Sequence, residues 1–116
     1  IDADYASKKG ITVTNTPRSV LEPTAELCFG LVVSLMRKIT YYDRHIRQLE
    51  GSFRPLNEEW GTGLYGKMFG IFGMGRIGQA VARRAKAFGM NIIYHNRKPV
   101  NSSIEKELNA EHVSFD

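Results

Sequence analysis

A single cysteine, Cys28, stands in 116 residues, so no intrachain disulfide can form. One unpaired thiol inside an apolar stretch suits packing in a reducing compartment, and a cytoplasmic location is the expectation. Long apolar runs are missing too. The most apolar segment, Leu27 to Met36, falls well short of the roughly 18 to 20 residues that a membrane span requires. Neither sign of charge dominates: 16 Lys and Arg stand against 12 Asp and Glu, a formal net charge of +4, with the basic residues scattered. That balance argues against nucleic acid as a partner and favours a local basic site for one phosphate. No metal-ligand cluster is visible, since His45, His95 and His112 lie far apart and Cys28 has no matching ligand. Each histidine reads as a surface or packing residue. No Gly-x-Ser-x-Gly turn supports a nucleophilic serine. The chain opens on Ile1 without a signal-peptide pattern and reads as a segment of a longer protein.

What is present is an ordinary soluble composition, 42% apolar and 24% charged, organised around one stretch. Gly73-Met74-Gly75-Arg76-Ile77-Gly78 spells GxGxxG. Alone the pattern is weak; its flanks give it meaning. Met68 to Phe72 is a short apolar run of the kind that forms a buried parallel strand, and Ile77, Val81, Ala85 and Phe88 recur at helical spacing after it. Strand, glycine turn and helix are the context a dinucleotide-binding turn requires.

Taken in order, Asp2 is placed to cap a short helix through Lys9, with Gly10 as its stop. Ile11 to Thr14 reads as a short strand that Asn15-Thr16-Pro17 ends, a crossover or hinge. Ser19 and Glu22 have capping-box spacing, and a continuous helix from Thr24 to Glu50 would measure roughly 40 Å. Cys28, Leu31, Leu35, Ile39, Tyr42, Ile46 and Leu49 share one face of it, and up to Met36 the other faces are apolar as well, so burial all round is expected of that half. Two readings stay open for this rod, a core helix with a solvated end or packing against a second subunit. The stretch from Ser52 to Lys67 reads as a loop anchored by Trp60. Gly89 stops the motif helix, Asn91 to Asn96 is a second strand, Ser102 and Glu105 open another helix, and Val113 with Phe115 alternate as a third strand would. The predicted order is β-α-β-α-β, a Rossmann-type, doubly wound parallel sheet of which this chain holds the N-terminal part.

The motif carries its own chemistry. Unpaired N–H groups at a helix N-terminus, with the helix dipole, hold a pyrophosphate. Gly73 permits the tight turn, Gly75 lets backbone approach the phosphates, and Gly78 lets the helix pack close to the strand. Arg76 and Ile77 are placed to contact phosphate and cover the ribose, Arg76 being otherwise a solvated charge. Where an NAD site carries a carboxylate for the adenosine ribose, this chain has Asn96, 96 − 78 = 18 positions after the last glycine, followed by Arg97 and Lys98. No carboxylate repels a 2′-phosphate there, and a guanidinium suits its oxygens, so NADP(H) is favoured over NAD(H). The competing reading makes Arg97 and Lys98 a basic surface turn.

Val13 to Pro17, Thr24-Ala25-Glu26-Leu27, Trp60 with Gly66-Lys67, and Gly70 to Gly78 together resemble the D-isomer-specific 2-hydroxyacid dehydrogenases over nearly the whole chain. The Asn96-Arg97-Lys98 ending is similar to that of the NADPH-preferring glyoxylate/hydroxypyruvate reductase branch. The resemblance implies hydride transfer between the nicotinamide ring and C2 of a small 2-oxo acid. An Arg, a Glu and a His would do the chemistry, all beyond Asp116, so no catalytic residue is expected here and the segment alone should be inactive. It further implies that residues 1–16 close a substrate domain and hinge, that 17–116 begin the NAD(P)-binding domain, and that Thr24 lies near the nicotinamide. A homodimer through the 24–50 helix and the Trp60 loop is also implied. Two alternatives remain: a dinucleotide-sensing regulatory or corepressor-type protein on the same fold, and a methyltransferase using S-adenosylmethionine, which Arg97 disfavours.

Overall fold

A computed structural model describes residues 1–48 and 60–116, in the order α1 (Ala3–Lys8), α2 (Leu21–Met36), α3 (Ile39–Gln48), β1 (Met68–Phe72), α4 (Arg76–Ala87), β2 (Asn91–His95), α5 (Ser102–Leu108), β3 (Ala110–His112). From β1 onward this is the expected β-α-β-α-β. The three strands form one parallel sheet in the order β1-β2-β3, with Phe72 opposite His95 and Tyr94 opposite His112. Parallel strands need a crossover each, and α4 and α5 supply them.

Helix α4 explains why the sheet holds. Ala80, Val81, Ala82 and Ala85 are buried on it, and small residues there let the helix lie close to β1 and β2. Ile77 and Phe88, expected on the same apolar face, are 40% and 48% exposed. Ile92, Tyr94 and Leu108 complete the core from β2 and α5. Outside, Arg83 pairs with Glu107 at 2.7 Å, tying α4 to α5. Gly89, at φ +71°, makes the turn out of α4 as expected.

The long rod is a correction. The chain breaks it at Arg37 and Lys38, and Lys38 has φ +53°, outside any α-helix. The cause is tertiary. Thr62 N–H donates to the Met36 carbonyl at 2.7 Å, and a Cβ on Gly61 would sit 2.7 Å from Arg37 Cα, so the incoming loop occupies the place of a continued helix. Leu49 and Glu50 lie outside the described residues, as does the first half of the predicted Ser52–Lys67 loop, residues 52–59.

Burial all round α2 is also corrected. Only Ala25 and Phe29 are buried on it, while Leu27, Leu31 and Leu35 are exposed, and so is Cys28. Phe29 is the anchor. Its ring meets Phe88 edge-on at a centroid distance of 4.9 Å and Phe69 at 6.3 Å, while Arg84 of α4 reaches Glu22 at 2.9 Å. Helix α3 is solvated, with Asp43 and Arg47 paired one turn apart at 2.9 Å; the Arg47 hydrogen bond holds the Asp43 carboxyl below its ordinary pKa.

Other expectations shift by a residue or two. Asp2 caps α1 as predicted, accepting from Tyr5 N–H at 2.9 Å. Ile11 to Thr14 is not in a ladder, and Ile11 and Val13 are exposed. Val20, not Ser19, precedes α2, and Ser19 instead donates its hydroxyl to the Thr16 carbonyl. Asn101 rather than Ser102 caps α5, accepting from Ser103 N–H at 3.0 Å. Strand β3 comes earlier than Val113 and Phe115, because Asn109, at φ +51°, turns the chain directly into Ala110. The chain extends 68 × 32 × 25 Å with a radius of gyration of 20.0 Å, against about 13 Å for a compact chain of this size.

Candidate dinucleotide site

The carboxyl ends of β1 and β2 lie side by side, and the chain turns after each. Gly73 N–H donates to the His95 carbonyl at 3.0 Å, and Met74 N–H donates to Asn96 Oδ1 at 2.8 Å. These two bonds place the glycine turn against the Asn96-Arg97-Lys98 turn. The ends of parallel strands, outside the sheet, are where open α/β folds hold ligands.

Each glycine answers a different demand. Gly73 has φ +100°, which side chains avoid. A Cβ on Gly78 would lie 3.2 Å from Gly73 C and 3.3 Å from Ile71 Cγ2, and closer still to the Gly73 carbonyl oxygen, so only glycine lets α4 meet the turn. Gly75 has φ −79° and open space where a Cβ would go. Nothing in the protein itself requires glycine there. A cradle kept clear on its outer side, at the N-cap of a helix whose first N–H groups lack intrahelical acceptors, suits a phosphate.

The cleft outside the turn measures about 360 Å³ and is lined by Gly73, Gly75, Arg76, Ile77 and Gly78, with the segment Thr16–Leu21 opposite. Thr16, Pro17, Val20 and Leu21 were not among the predicted site residues. Thr16 and Pro17 belong to the predicted hinge, but nothing local marks any of the four as cleft lining; α2 packing on α4 brings them there. Thr24, predicted near the nicotinamide, is exposed in the first turn of α2 and does not line this cleft. Asn96, Arg97 and Lys98 line a second, open cavity of about 590 Å³. Arg97 and Lys98 are exposed, while Asn96 is half-buried, its side-chain oxygen taken by Met74 and its carbonyl 3.0 Å from His112 Nε2.

The residues fit a nicotinamide dinucleotide. They offer backbone donors at the turn, a clear approach at Gly75, and exposed cations at Arg97 and Lys98 beside it. Among the described residues there is no cluster of metal-ligating side chains, and no helix is long and apolar enough to cross a membrane.

Comparison with known proteins agrees. Residues 29–116 match the family model for the D-isomer specific 2-hydroxyacid dehydrogenase, NAD binding domain. A glyoxylate reductase of Thermococcus litoralis is 44% identical over 124 residues, covering 100% of this chain and 36% of its own. The crystal structure of a glyoxylate reductase from Paecilomyes thermophila superposes with a TM-score of 0.77 at 39% identity, over 99% of this chain and 34% of that one. A D-lactate dehydrogenase of Aquifex aeolicus, crystallised with NAD and lactic acid, gives 0.79 at 31% identity, over 98% and 33%. The chain spans about a third of the length of these relatives.

Proposed function

The chain belongs to the D-isomer specific 2-hydroxyacid dehydrogenase family, and from that premise we propose that it is the cofactor-holding part of an NADPH-dependent reductase of a small 2-oxo acid, of the glyoxylate or hydroxypyruvate type. When bound, the nicotinamide supplies hydride to the carbonyl carbon of such an acid. The residues of this chain bind and orient. Gly73, Gly75 and Gly78 with the first N–H groups of α4 hold the pyrophosphate, Arg76 and Ile77 flank it, and Arg97 and Lys98 meet the adenosine end. Catalytic Arg, Glu and His belong to the remainder of the protein, residues 1–16 belong to its substrate domain and hinge, and 17–116 open its nucleotide-binding domain.

The observation that carries the cofactor reading is the bond from Met74 N–H to Asn96 Oδ1 at 2.8 Å. The residue standing where a carboxylate would accept from the ribose hydroxyls is an amide whose oxygen already accepts from the glycine turn, and the next two residues are cations. Arg97→Asp in the full-length protein is expected to weaken NADPH about tenfold to a hundredfold, one charge-assisted hydrogen bond, with NADH little changed. Fluorescence titration with both cofactors measures this, and equal affinities in the parent would sink the preference. Reduction of neither glyoxylate nor hydroxypyruvate by a full-length protein that binds NADPH would favour a dinucleotide-sensing regulator instead.

The exposed apolar residues Leu31, Leu35, Ile39 and Ile46 on α2 and α3 support a homodimer through these helices and the loop at Trp60, since an apolar stripe left in water favours a partner. Leu35→Glu in the full-length protein is expected to shift the dimer toward monomer in size-exclusion chromatography with light scattering. An unchanged mass at micromolar concentration would remove this face from the interface.

A further inference from the structure

We propose that Tyr94, buried near the carboxyl end of β2, is a positioning residue for cofactor selectivity: its hydroxyl fastens the far end of the turn that carries Arg97 and Lys98. This rests on the reading that Arg97 meets the 2′-phosphate.

Tyr94 is 1% exposed, and its ring is core. The hydroxyl is nonetheless bonded on both sides. It donates to Glu105 Oε1 at 2.6 Å and accepts from Val100 N–H at 2.9 Å. A short O–H···O⁻ bond of this kind is among the stronger ones a protein makes. Burial first, and then the Glu105 bond, raise the hydroxyl's pKa above the ordinary tyrosine value, so it stays a donor at neutral pH.

The consequence lies in the turn. Residues 96–100 leave β2 and enter α5, whose cap is Asn101. Their near end is held by Asn96, which accepts from Met74 N–H and faces His112 Nε2 through its carbonyl. Their far end is held at Val100 by the Tyr94 hydroxyl, which Glu105 in α5 orients. His112 belongs to the same assembly, its ring edge-on to Tyr94 at 5.1 Å. Pro99 further stiffens the segment. Two exposed cations thus stand on a five-residue span, 96 to 100, anchored at both ends, so the entropy of ordering the backbone that carries them is lost on folding rather than on binding.

The test uses the full-length protein with NADPH and NADH as ligands. Tyr94→Phe keeps the ring and removes the hydroxyl, leaving Val100 N–H without its acceptor. It is expected to weaken NADPH about three- to tenfold, the worth of one hydrogen bond, and to leave NADH within about twofold. In an Arg97→Asp/Lys98→Ala background the same change should leave the NADPH to NADH ratio where it is, because no cation remains to be positioned. Equal weakening of both cofactors by Tyr94→Phe would make the tyrosine merely structural and overturn the proposal. A ratio that Arg97→Asp changes and Tyr94→Phe does not would overturn it while sparing the 2′-phosphate reading; a ratio that Arg97→Asp leaves unchanged would overturn both. Should Tyr94→Phe fail to fold, Glu105→Ala frees the hydroxyl without touching the ring and carries the same expectation.

Discussion

Gly78→Ala in the full-length protein is expected to lower stability by roughly 3 kcal/mol and to abolish measurable dinucleotide binding. The added carbon has nowhere to go. It meets the Gly73 carbonyl, 3.2 Å at its carbon and nearer at its oxygen, and Ile71 Cγ2 at 3.3 Å. Backbone does not swing aside as the end of a side chain does, so α4 must back away from β1 or the turn must open. Moving α4 disturbs Ala80, Val81 and Ala82, which are buried at its other contacts. Opening the turn breaks the bonds from Gly73 N–H to His95 and from Met74 N–H to Asn96. Either way fold and site are damaged together. Chemical denaturation followed by NADPH titration checks this; a variant of parental stability would show that the turn tolerates the contact.

Gly75→Val should separate what Gly78→Ala joins. Gly75 has an ordinary φ of −79°, and nothing lies within 4 Å of the place its Cβ would take. Stability should therefore change by no more than about 1 kcal/mol, the range of helix-cap substitutions. Binding should fall about a hundredfold or more, because the branched side chain stands where the pyrophosphate approaches, and two charge-assisted bonds to backbone N–H groups are lost. Retained NADPH affinity in a stable Gly75→Val protein would remove the pyrophosphate from this turn. The pair of substitutions thus distinguishes a glycine needed for packing from one needed for a ligand, although GxGxxG writes them with the same letter.

The cofactor turn shows how far side-chain identity reaches. Asn96, Arg97 and Lys98 were legible as a basic ending with no carboxylate, 18 residues from Gly78, 96 − 78. That Asn96 Oδ1 accepts from Met74, and that Tyr94 fastens Val100, could not be read, since both bonds cross between segments far apart in the chain or turned back on one another. Likewise nothing local marks Thr16, Pro17, Val20 and Leu21 as a cleft wall, although Thr16 and Pro17 belong to the predicted hinge; the wall exists because Phe29 seats α2 against Phe88 and Phe69.

Local chemistry was enough to place β1 at Met68–Phe72, α4 after it, and the stop at Gly89, because a parallel strand, a glycine turn and a capped helix each declare themselves within a few residues. It was enough to name the family as a resemblance and a dinucleotide as the ligand. Tertiary structure alone decided the rest. Nothing between Thr24 and Gln48 forbids a continuous helix; the break at Lys38 comes from Thr62 and Gly61, more than twenty residues on, pressing against Met36 and Arg37. Periodicity reports that a face is apolar, not what covers it, which is why α2 was expected to be buried, whereas the rest of this chain leaves Leu31 and Leu35 uncovered. Propensity and spacing act over one turn or one strand, whereas the contacts that end a helix early, line a cleft or pin a selective turn are made by residues that only the folded chain brings together.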